Sequence, residues 1–228
     1  TIITANGLQY VDAGAVANGT EINNGAFQYV LGSATDTTVN SGGIQAVEGT
    51  SFNTTVASGA THVLVGGSAV GTIVEVGGYQ EVINGTVDGT LLSDYMQVLS
   101  DGTSVNTVIA SGGAAYIGAD GLASNATINA GGLQYVDVGG TATGTMINGG
   151  YQFVAGVASD TTINSGGMDV TGIANDTLLS GGYEHVLTGG VQNDIDFTGS
   201  AATLYLDDAL GLTGTISNFG LGDTIDFL

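Results

Sequence analysis

Apolar residues alternate with small or polar ones in a pattern that returns every 16 to 19 residues. Its fullest form is Thr-x-[Ile/Val/Leu]-x-x-Gly-Gly-x-Gln-x-[Val/Leu/Ile]-x-x-Gly-x-x-Ala, and eleven copies follow one another. The copies begin near residues 1, 20, 37, 54, 72, 90, 107, 126, 145, 161 and 177. A period of about 17.6 residues is too short for a helix–turn–helix repeat. It suits one turn of a β-solenoid, which buries its apolar side only against a stacked neighbour.

Two positions of the repeat are aliphatic, and both are expected to face the core. The third position reads Ile3, Ile22, Val39, Val56, Val74, Leu92, Ile109, Ile128, Ile147, Ile163 and Leu179. The eleventh reads Val11, Val30, Val47, Leu64, Val82, Leu99, Ile117, Val136, Val154, then a break at Thr171, then Val186. β-Branched side chains favour strands, and stacking at ~4.8 Å per turn would make continuous columns. The sequence therefore predicts an all-β, parallel β-solenoid of about eleven turns.

Glycine pairs separate the two apolar runs of the repeat. There are ten Gly-Gly pairs, among them Gly42-Gly43, Gly77-Gly78 and Gly131-Gly132. Glycine provides the positive φ that tight corners need, so this phased glycine predicts corners and not disorder.

The ninth position of the repeat is mostly glutamine: Gln9, Gln28, Gln45, Gln80, Gln97, Gln134 and Gln152. It shares strand parity with the eleventh, so we expect it to point inward, where stacked amides can hydrogen-bond to one another. Positions eight and ten, rich in tyrosine and phenylalanine, then face solvent. The opposite parity, with a bend before position eleven, remains an alternative.

The repeat fades near residue 194. We divide the chain into a repeat solenoid, residues 1–194, and a segment of residues 195–228 that caps or continues it. Alternation such as Leu204/Leu206 and Ile225/Phe227 still predicts strands there.

The charge of the chain excludes several functions. It has no Lys or Arg against 21 acidic residues, a formal charge of −21. Nucleic-acid binding is excluded because no cation can replace counterions on phosphate. Attraction to anionic lipid is excluded for the same reason, and no apolar stretch is long enough to insert in a membrane. Cysteine is absent as well, so no disulfide or thiolate chemistry is available.

Residues with possible chemistry are few. His62 and His185 lie seven turns apart, roughly 34 Å at ~4.8 Å per turn, so they cannot share a site. Acidic pairs occur at Asp194/Asp196, Asp207/Asp208 and Asp223/Asp226, and paired carboxylates can bind Ca²⁺ or cleave glycosides. We interpret these acidic pairs as solvated turns, and we expect the protein to be neither an enzyme nor dependent on a cofactor. The weak candidates for calcium ligands are Asp207, Asp208, Asp223 and Asp226. The Asn-x-Ser/Thr sites are interpreted as structural products of the repeat: Asn18, Asn53, Asn84, Asn125 and Asn175.

Two repeat units carry a family resemblance. Thr-Val-Asn-Ser-Gly-Gly-Ile-Gln-Ala-Val (38–47) and Thr-Ile-Asn-Ala-Gly-Gly-Leu-Gln-Tyr-Val (127–136) resemble the AIDA-type repeats in passenger domains of bacterial autotransporter adhesins. The resemblance covers residues 1–190 and implies a right-handed parallel β-helix at the outer-membrane surface. It also implies cell–cell aggregation, biofilm formation and, in some members, heptose on Ser or Thr. The end of the chain, from Ile216 to Phe227, is similar to the segment that closes calcium-binding RTX domains, although the RTX nonapeptide is absent.

These observations predict a non-enzymatic, extracellular or surface-displayed adhesin that associates with itself. Carbohydrate or another cell-surface protein is a further candidate partner. The alternative is a structural subunit of an extracellular filament or layer, built by stacking solenoids. Exposed aromatic residues often mark contact surfaces. We expect contact along a broken stripe of position-ten residues: Tyr10, Tyr29, Tyr116, Tyr135 and Phe153.

Overall fold

The computed structural model describes residues 1–228. The chain forms 35 short strands and one 3-10 turn, Ala209–Gly211, and it winds through three stacks of parallel strands. We call these stacks the first, second and third sheets, in the order in which each turn visits them. The all-β parallel solenoid predicted from the repeat is confirmed. No helix is present with the length and apolar character needed to cross a membrane.

Each of the first eleven turns contributes to all three sheets, and the last two turns contribute only to the first and second. The first sheet contains Ile2–Ile3, Glu21–Ile22, Thr38–Val39, Thr55–Val56, Ile73–Val74, Leu91–Leu92, Val108–Ile109, Thr127–Asn129, Thr177–Leu179, Ile195–Phe197 and Ile216–Ser217. The second contains Leu8–Val11, Phe27–Val30, Ile44–Val47, Thr61–Val65, Tyr79–Ile83, Tyr95–Leu99, Ala114–Ile117, Leu133–Val136, Tyr183–Val186, Thr203–Leu206 and Thr224–Phe227. Two longer strands, Met146–Val154 and Thr162–Val170, run through the corner and belong to both. The third contains Val16–Asn18, Ser33–Thr35, Thr50–Phe52, Ser68–Val70, Thr86–Asp88, Thr103–Val105, Leu122–Ser124, Thr141–Thr143, Val157–Ser159, Ile173–Asn175 and Val191–Gln192.

The solenoid has about 13 turns, two more than the repeat predicts. Residues from 195 onward add strands in parallel register, with Leu204 paired to Glu184 and Ile225 paired to Leu204. The Gly-Gly-x-Gln signature is lost in these turns, so they are not counted as repeats, while the alternation that predicts strands at Leu204/Leu206 and Ile225/Phe227 remains.

The core fills the space enclosed by the three sheets. All eleven third-position aliphatic residues are buried, as predicted, and they belong to a cluster of 40 buried apolar residues. The third sheet contributes small inward residues, chiefly alanine, such as Ala34, Ala69 and Ala142. Because like residues lie above one another, each turn buries the apolar surface of the next.

The sixth turn corrects one predicted register. Met96 and Val98 point inward and pair with Gln80 and Val82, whereas Gln97 and Leu99 do not occupy the buried positions that even spacing assigned to them. The reason is a shortened corner, in which Ser93-Asp94 replaces the longer Gly-Gly turn. The Asp94 carboxylate accepts a hydrogen bond of 2.8 Å from the backbone N–H of Gly77 in the preceding turn. A side-chain oxygen therefore makes the contact between turns that the shortened backbone of this corner cannot make.

The predicted break at Thr171 is also wrong. Val170 pairs with Val154 and Val186 and is fully buried, so the aliphatic column is continuous. The chain saves one residue by running straight through the corner as the strand Thr162–Val170, with an irregular register.

The two glycines of a corner pair have different tasks, as Gly42 and Gly43 show. Gly42 has φ +74°, a conformation that L side chains rarely adopt. Gly43 lies against the preceding turn, where a Cβ would come within 2.5 Å of Ile22 O. The first glycine therefore reverses the chain, and the second lets the turns stack closely.

Candidate functional site: the aromatic face

The second sheet turns its positions eight and ten to solvent. The alternate side chains between them, such as Gln28, Gln45 and Gln152, are fully buried. The outward parity predicted for the aromatic positions is therefore confirmed, and the opposite parity is excluded.

All nine tyrosines of the chain lie on this outward surface, which we call the aromatic face. Its aromatic members are Tyr10, Phe27, Tyr29, Tyr79, Tyr95, Tyr116, Tyr135, Tyr151, Phe153, Tyr183 and Tyr205. They occupy two parallel columns, because positions eight and ten lie side by side in each strand. An aromatic set gathered on one of three sheets is not explained by core packing, since it lies outside the core.

The five residues predicted as a stripe form two groups. Tyr10 and Tyr29 are paired at one end, with ring centroids 5.8 Å apart. Tyr116, Tyr135 and Phe153 follow one another after four turns that carry Ala46, Val63, Glu81 and Gln97 in this column.

The gap is filled from the neighbouring column. Tyr79 and Tyr95 stack there with centroids 5.8 Å apart and planes 10° from parallel. Sequence reasoning missed Tyr95 because it miscounted the sixth turn, and the Ser93-Asp94 corner was the available signal. The face is thus more continuous than the predicted stripe.

Carboxylates are interleaved with the rings. The Tyr29 hydroxyl donates to Glu48 and the Tyr116 hydroxyl donates to Asp137. The hydrogen bond to Glu48 raises the pKa of Tyr29, and the hydrogen bond from Tyr116 lowers the pKa of Asp137. These phenols therefore stay neutral at physiological pH. Tyr10, 63% exposed, and Tyr135, 37% exposed, are the most accessible tyrosines.

Behind the face, the ninth-position side chains form a buried polar column. Gln45 Nε2 donates to Gln28 Oε1 at 2.7 Å, and Gln152 Nε2 donates to Gln134 Oε1 at 2.8 Å. The amide stacking expected from the sequence is present in these turns. These hydrogen bonds link successive turns and fix the strands that carry the aromatic face.

His62 occupies this column in the fourth turn. Gln80 Nε2 donates to His62 Nδ1 at 3.1 Å, which leaves His62 Nε2 as the donor toward Ser51 Oγ at 3.4 Å. Complete burial lowers the pKa of His62 to about 3, so the ring is neutral. It fills the column as a substitute for glutamine.

Glu184 occupies the same column in the eleventh turn, an assignment that sequence reasoning did not make. It is fully buried between Met168 and Leu204, and neither carboxyl oxygen has a hydrogen-bonded partner. Burial raises the pKa of Glu184 to about 8. The neighbouring Thr177 hydroxyl lowers it by less, because it makes no well-formed hydrogen bond to the carboxyl group. At neutral pH it is therefore mainly a protonated acid.

The acidic pairs do not assemble into a shared site. Asp207 accepts from His185 Nε2 at 2.8 Å and from Thr188 N, Asp208 accepts from Leu210 N, and Asp223 accepts from Ala202 N and Gly220 N. No group of three or more His, Cys, Asp or Glu residues is placed to hold a metal ion. The four weak calcium candidates, Asp226 included, are not gathered into such a group. Asp207 links to the preceding turn, Asp208 accepts within the 3-10 turn, and Asp223 bonds both within its own turn and to the preceding one.

Backbone conformation explains the asparagine of two Asn-x-Thr sites. Asn53 and Asn125 have φ +52° and +54° at the corner between the third and first sheets. Asparagine tolerates this conformation better than other non-glycine residues. Asn53 Nδ2 also donates to Asp36 Oδ1 of the turn before at 3.0 Å. In Asn53-Thr54-Thr55 the middle residue, Thr54, is buried in the core, and the threonine of the motif, Thr55, begins a strand of the first sheet.

Comparison with known proteins places the fold. No protein-family profile matches the chain, and no curated protein sequence matches it. A solved structure does: the TibC-catalysed, hyper-glycosylated fragment of TibA that spans its residues 55–350. It is 32% identical, with a TM-score of 0.83, and the match covers 100% of this chain and 96% of that one.

Identity at this level over the whole chain, together with the repeat and the shared solenoid, shows the family. The chain belongs to the AIDA-type repeat passengers of bacterial autotransporter adhesins.

Proposed function

We propose that this passenger is an adhesive rod at the bacterial surface, secreted or displayed, that associates with copies of itself through the aromatic face. The observation that carries the proposal is the placement of all nine tyrosines on one outward surface of the second sheet. Tyrosine combines an apolar ring with a hydroxyl and is enriched at binding surfaces.

The length of the face supports a side-by-side contact. Aromatic residues run from Tyr10 in the first turn to Tyr205 in the twelfth. Weak contacts between rings, repeated along two rods, add up to a stronger association. They can form at the same time because the turns of both rods have the same spacing of ~4.8 Å.

The test replaces three rings of the aromatic face that are not hydrogen-bonded to a carboxylate. A triple variant, Tyr10→Ser, Tyr135→Ser and Phe153→Ser, should lose association in light scattering and cell-aggregation assays while its melting temperature changes little. A matched control changes three exposed apolar residues on the outer side of the first sheet: Ile73→Ser, Leu91→Ser and Met146→Ser. Equal loss of association in the control, or none in the aromatic variant, would exclude the aromatic face as the contact.

The TibA fragment is hyper-glycosylated, and we propose acceptor hydroxyls in this chain for the same modification. Ser41, Ser58 and Ser111 are exposed at the corner between the first and second sheets, each beside a glycine of the following turn. Because glycine has no side chain, no side chain from that position of the following turn covers the serine hydroxyl. Co-expression with TibC followed by intact-mass measurement tests the proposal, and the Ser41→Ala, Ser58→Ala, Ser111→Ala variant should carry less added mass.

A further inference from the structure

A shallow cleft lies at the C-terminal end of the aromatic face. Asp169, Tyr183, His185, Tyr205 and Leu228 line it. The rings of Tyr183 and His185 lie at 6.1 and 5.8 Å from that of Tyr205, both steeply inclined to it. The cleft therefore presents aromatic surfaces in more than one orientation, which a flat stack of rings does not.

Gly167 fixes one wall of this cleft. A Cβ at Gly167 would lie 2.3 Å from the Tyr183 ring, so the ring rests directly over the backbone of the preceding turn. Gly167 itself is buried. A side chain at this position would displace the Tyr183 ring.

The cleft carries negative charge that the chain does not balance. Asp169 is half-buried, and its Oδ1 is shielded from solvent and lacks a hydrogen-bonded partner. The Tyr151 hydroxyl is a neighbour of this carboxylate but, as a neutral phenol, it does not balance the charge. Burial and the neighbouring Asp169 carboxylate raise the pKa of Tyr183, which keeps that phenol neutral. Asp207 is hydrogen-bonded to His185, another residue that lines the cleft. No Lys or Arg exists anywhere in the chain to pair with these groups.

We propose that this cleft binds an arginine side chain presented by a partner protein. A guanidinium group is planar, stacks on tyrosine rings and donates to carboxylates, so it matches both the rings and Asp169. A neutral sugar ring would stack on the tyrosines but would leave the carboxylate charge unbalanced. The proposal is independent of self-association, because all five residues that line the cleft belong to one chain.

The probe is Nα-acetyl-arginine amide, titrated into the dilute full chain with ¹³C-labelled tyrosine rings at low ionic strength. Variants Tyr183→Phe and Tyr205→Phe identify the two ring signals. We expect these signals to shift with the arginine amide and about tenfold less at equal concentration with Nα-acetyl-citrulline amide, its uncharged counterpart. Asp169→Asn should weaken arginine-amide binding about tenfold.

Asp12→Asn is the matched control, because it removes the same charge from an exposed residue of the first turn. It should change the affinity less than twofold, and the melting temperature of both variants reports whether the fold is intact. Equal binding of citrulline amide, or equal weakening by Asp12→Asn, would overturn the proposal in favour of nonspecific attraction. Shifts of the same rings with methyl glucoside and none with arginine amide would overturn it in favour of a sugar site.

Discussion

Asp94 accepts a hydrogen bond from the backbone N–H of Gly77 at 2.8 Å and thereby joins two successive turns at a shortened corner. Removing the acceptor in Asp94→Ala should lower the free energy of unfolding by about 1–2 kcal/mol, because a charge-assisted hydrogen bond is lost. Asp94→Asn keeps an acceptor oxygen and should lose less than half as much. Both variants remove one negative charge, so chemical denaturation of the pair isolates the hydrogen bond. Equal losses would assign the effect to charge.

Val136 and Val138 test the orientation of side chains in the second sheet. Val136 is fully buried in the eleventh-position column, whereas Val138, two residues later, is 71% exposed. Val136→Asp should cost roughly 3–5 kcal/mol, since it buries a carboxylate without a partner. Val138→Asp adds the same charge to solvent and should change stability by less than about 0.5 kcal/mol. Thermal melts of the two variants measure both effects. A Val136→Asp variant that melts like the natural chain would contradict the burial of Val136 in the core.

The buried column predicts an unusual dependence of stability on pH. His62 has a pKa lowered from 6.5 to about 3, so its contribution to stability is lost as pH falls below 6.5. Glu184 has a pKa raised from 4.5 to about 8, so its folded form holds a proton that the unfolded chain releases above pH 4.5. Its contribution is therefore lost as pH rises from 4.5 toward 8. Between pH 4.5 and 6.5 the two effects cancel, and stability falls on either side.

Two substitutions separate these effects. Glu184→Gln should abolish the loss of stability between pH 6.5 and 8, because glutamine has no proton to release. His62→Gln should gain stability relative to the natural chain below pH 6.5, where the unfolded histidine becomes charged. Urea midpoints from pH 3 to 9 provide the measurement. Parallel pH profiles for Glu184→Gln and the natural chain above pH 6.5 would show that Glu184 is not buried as an acid.

Self-association should respond to salt in a way set by the charge of −21. Two such rods repel at low ionic strength, and the screening length falls from ~30 Å at 0.01 M to ~8 Å at 0.15 M. We expect light scattering to rise with salt, and also as pH falls toward the isoelectric point near 4.1. Association that weakens with added salt would contradict contact between like rods.

The sequence reveals the fold here because each turn repeats one hydrophobic pattern. The alternation around Ile128 and Val136 is enough to assign the inner side of two strands, and it was right wherever corners kept their usual length. It failed at Gln97 and Thr171 because a corner can lose residues when a side chain such as Asp94, or a continuous strand, replaces the missing backbone. The spacing of the repeat alone cannot show where a side chain or a continuous strand takes the place of the residues of a corner.

The aromatic face was predicted in part. Parity identified Tyr10 and Tyr135 as outward, but the pairing of Tyr79 with Tyr95 depends on the register of the sixth turn. The cleft near Tyr205 was out of reach, since it requires knowing that the turns continue beyond residue 194 and bring Tyr205 beside His185.

The stacking of turns also determines how the rod would bear load. The first and thirteenth turns lie twelve steps apart, and the hydrogen bonds between turns run along the axis, so tension applied along the axis opens neighbouring turns one after another. Each released turn of the repeat supplies 16 to 19 residues, or about 60 Å of extended chain. Under such tension the chain lengthens in steps and dissipates energy while the remaining turns, each with its own part of the aromatic face, stay folded.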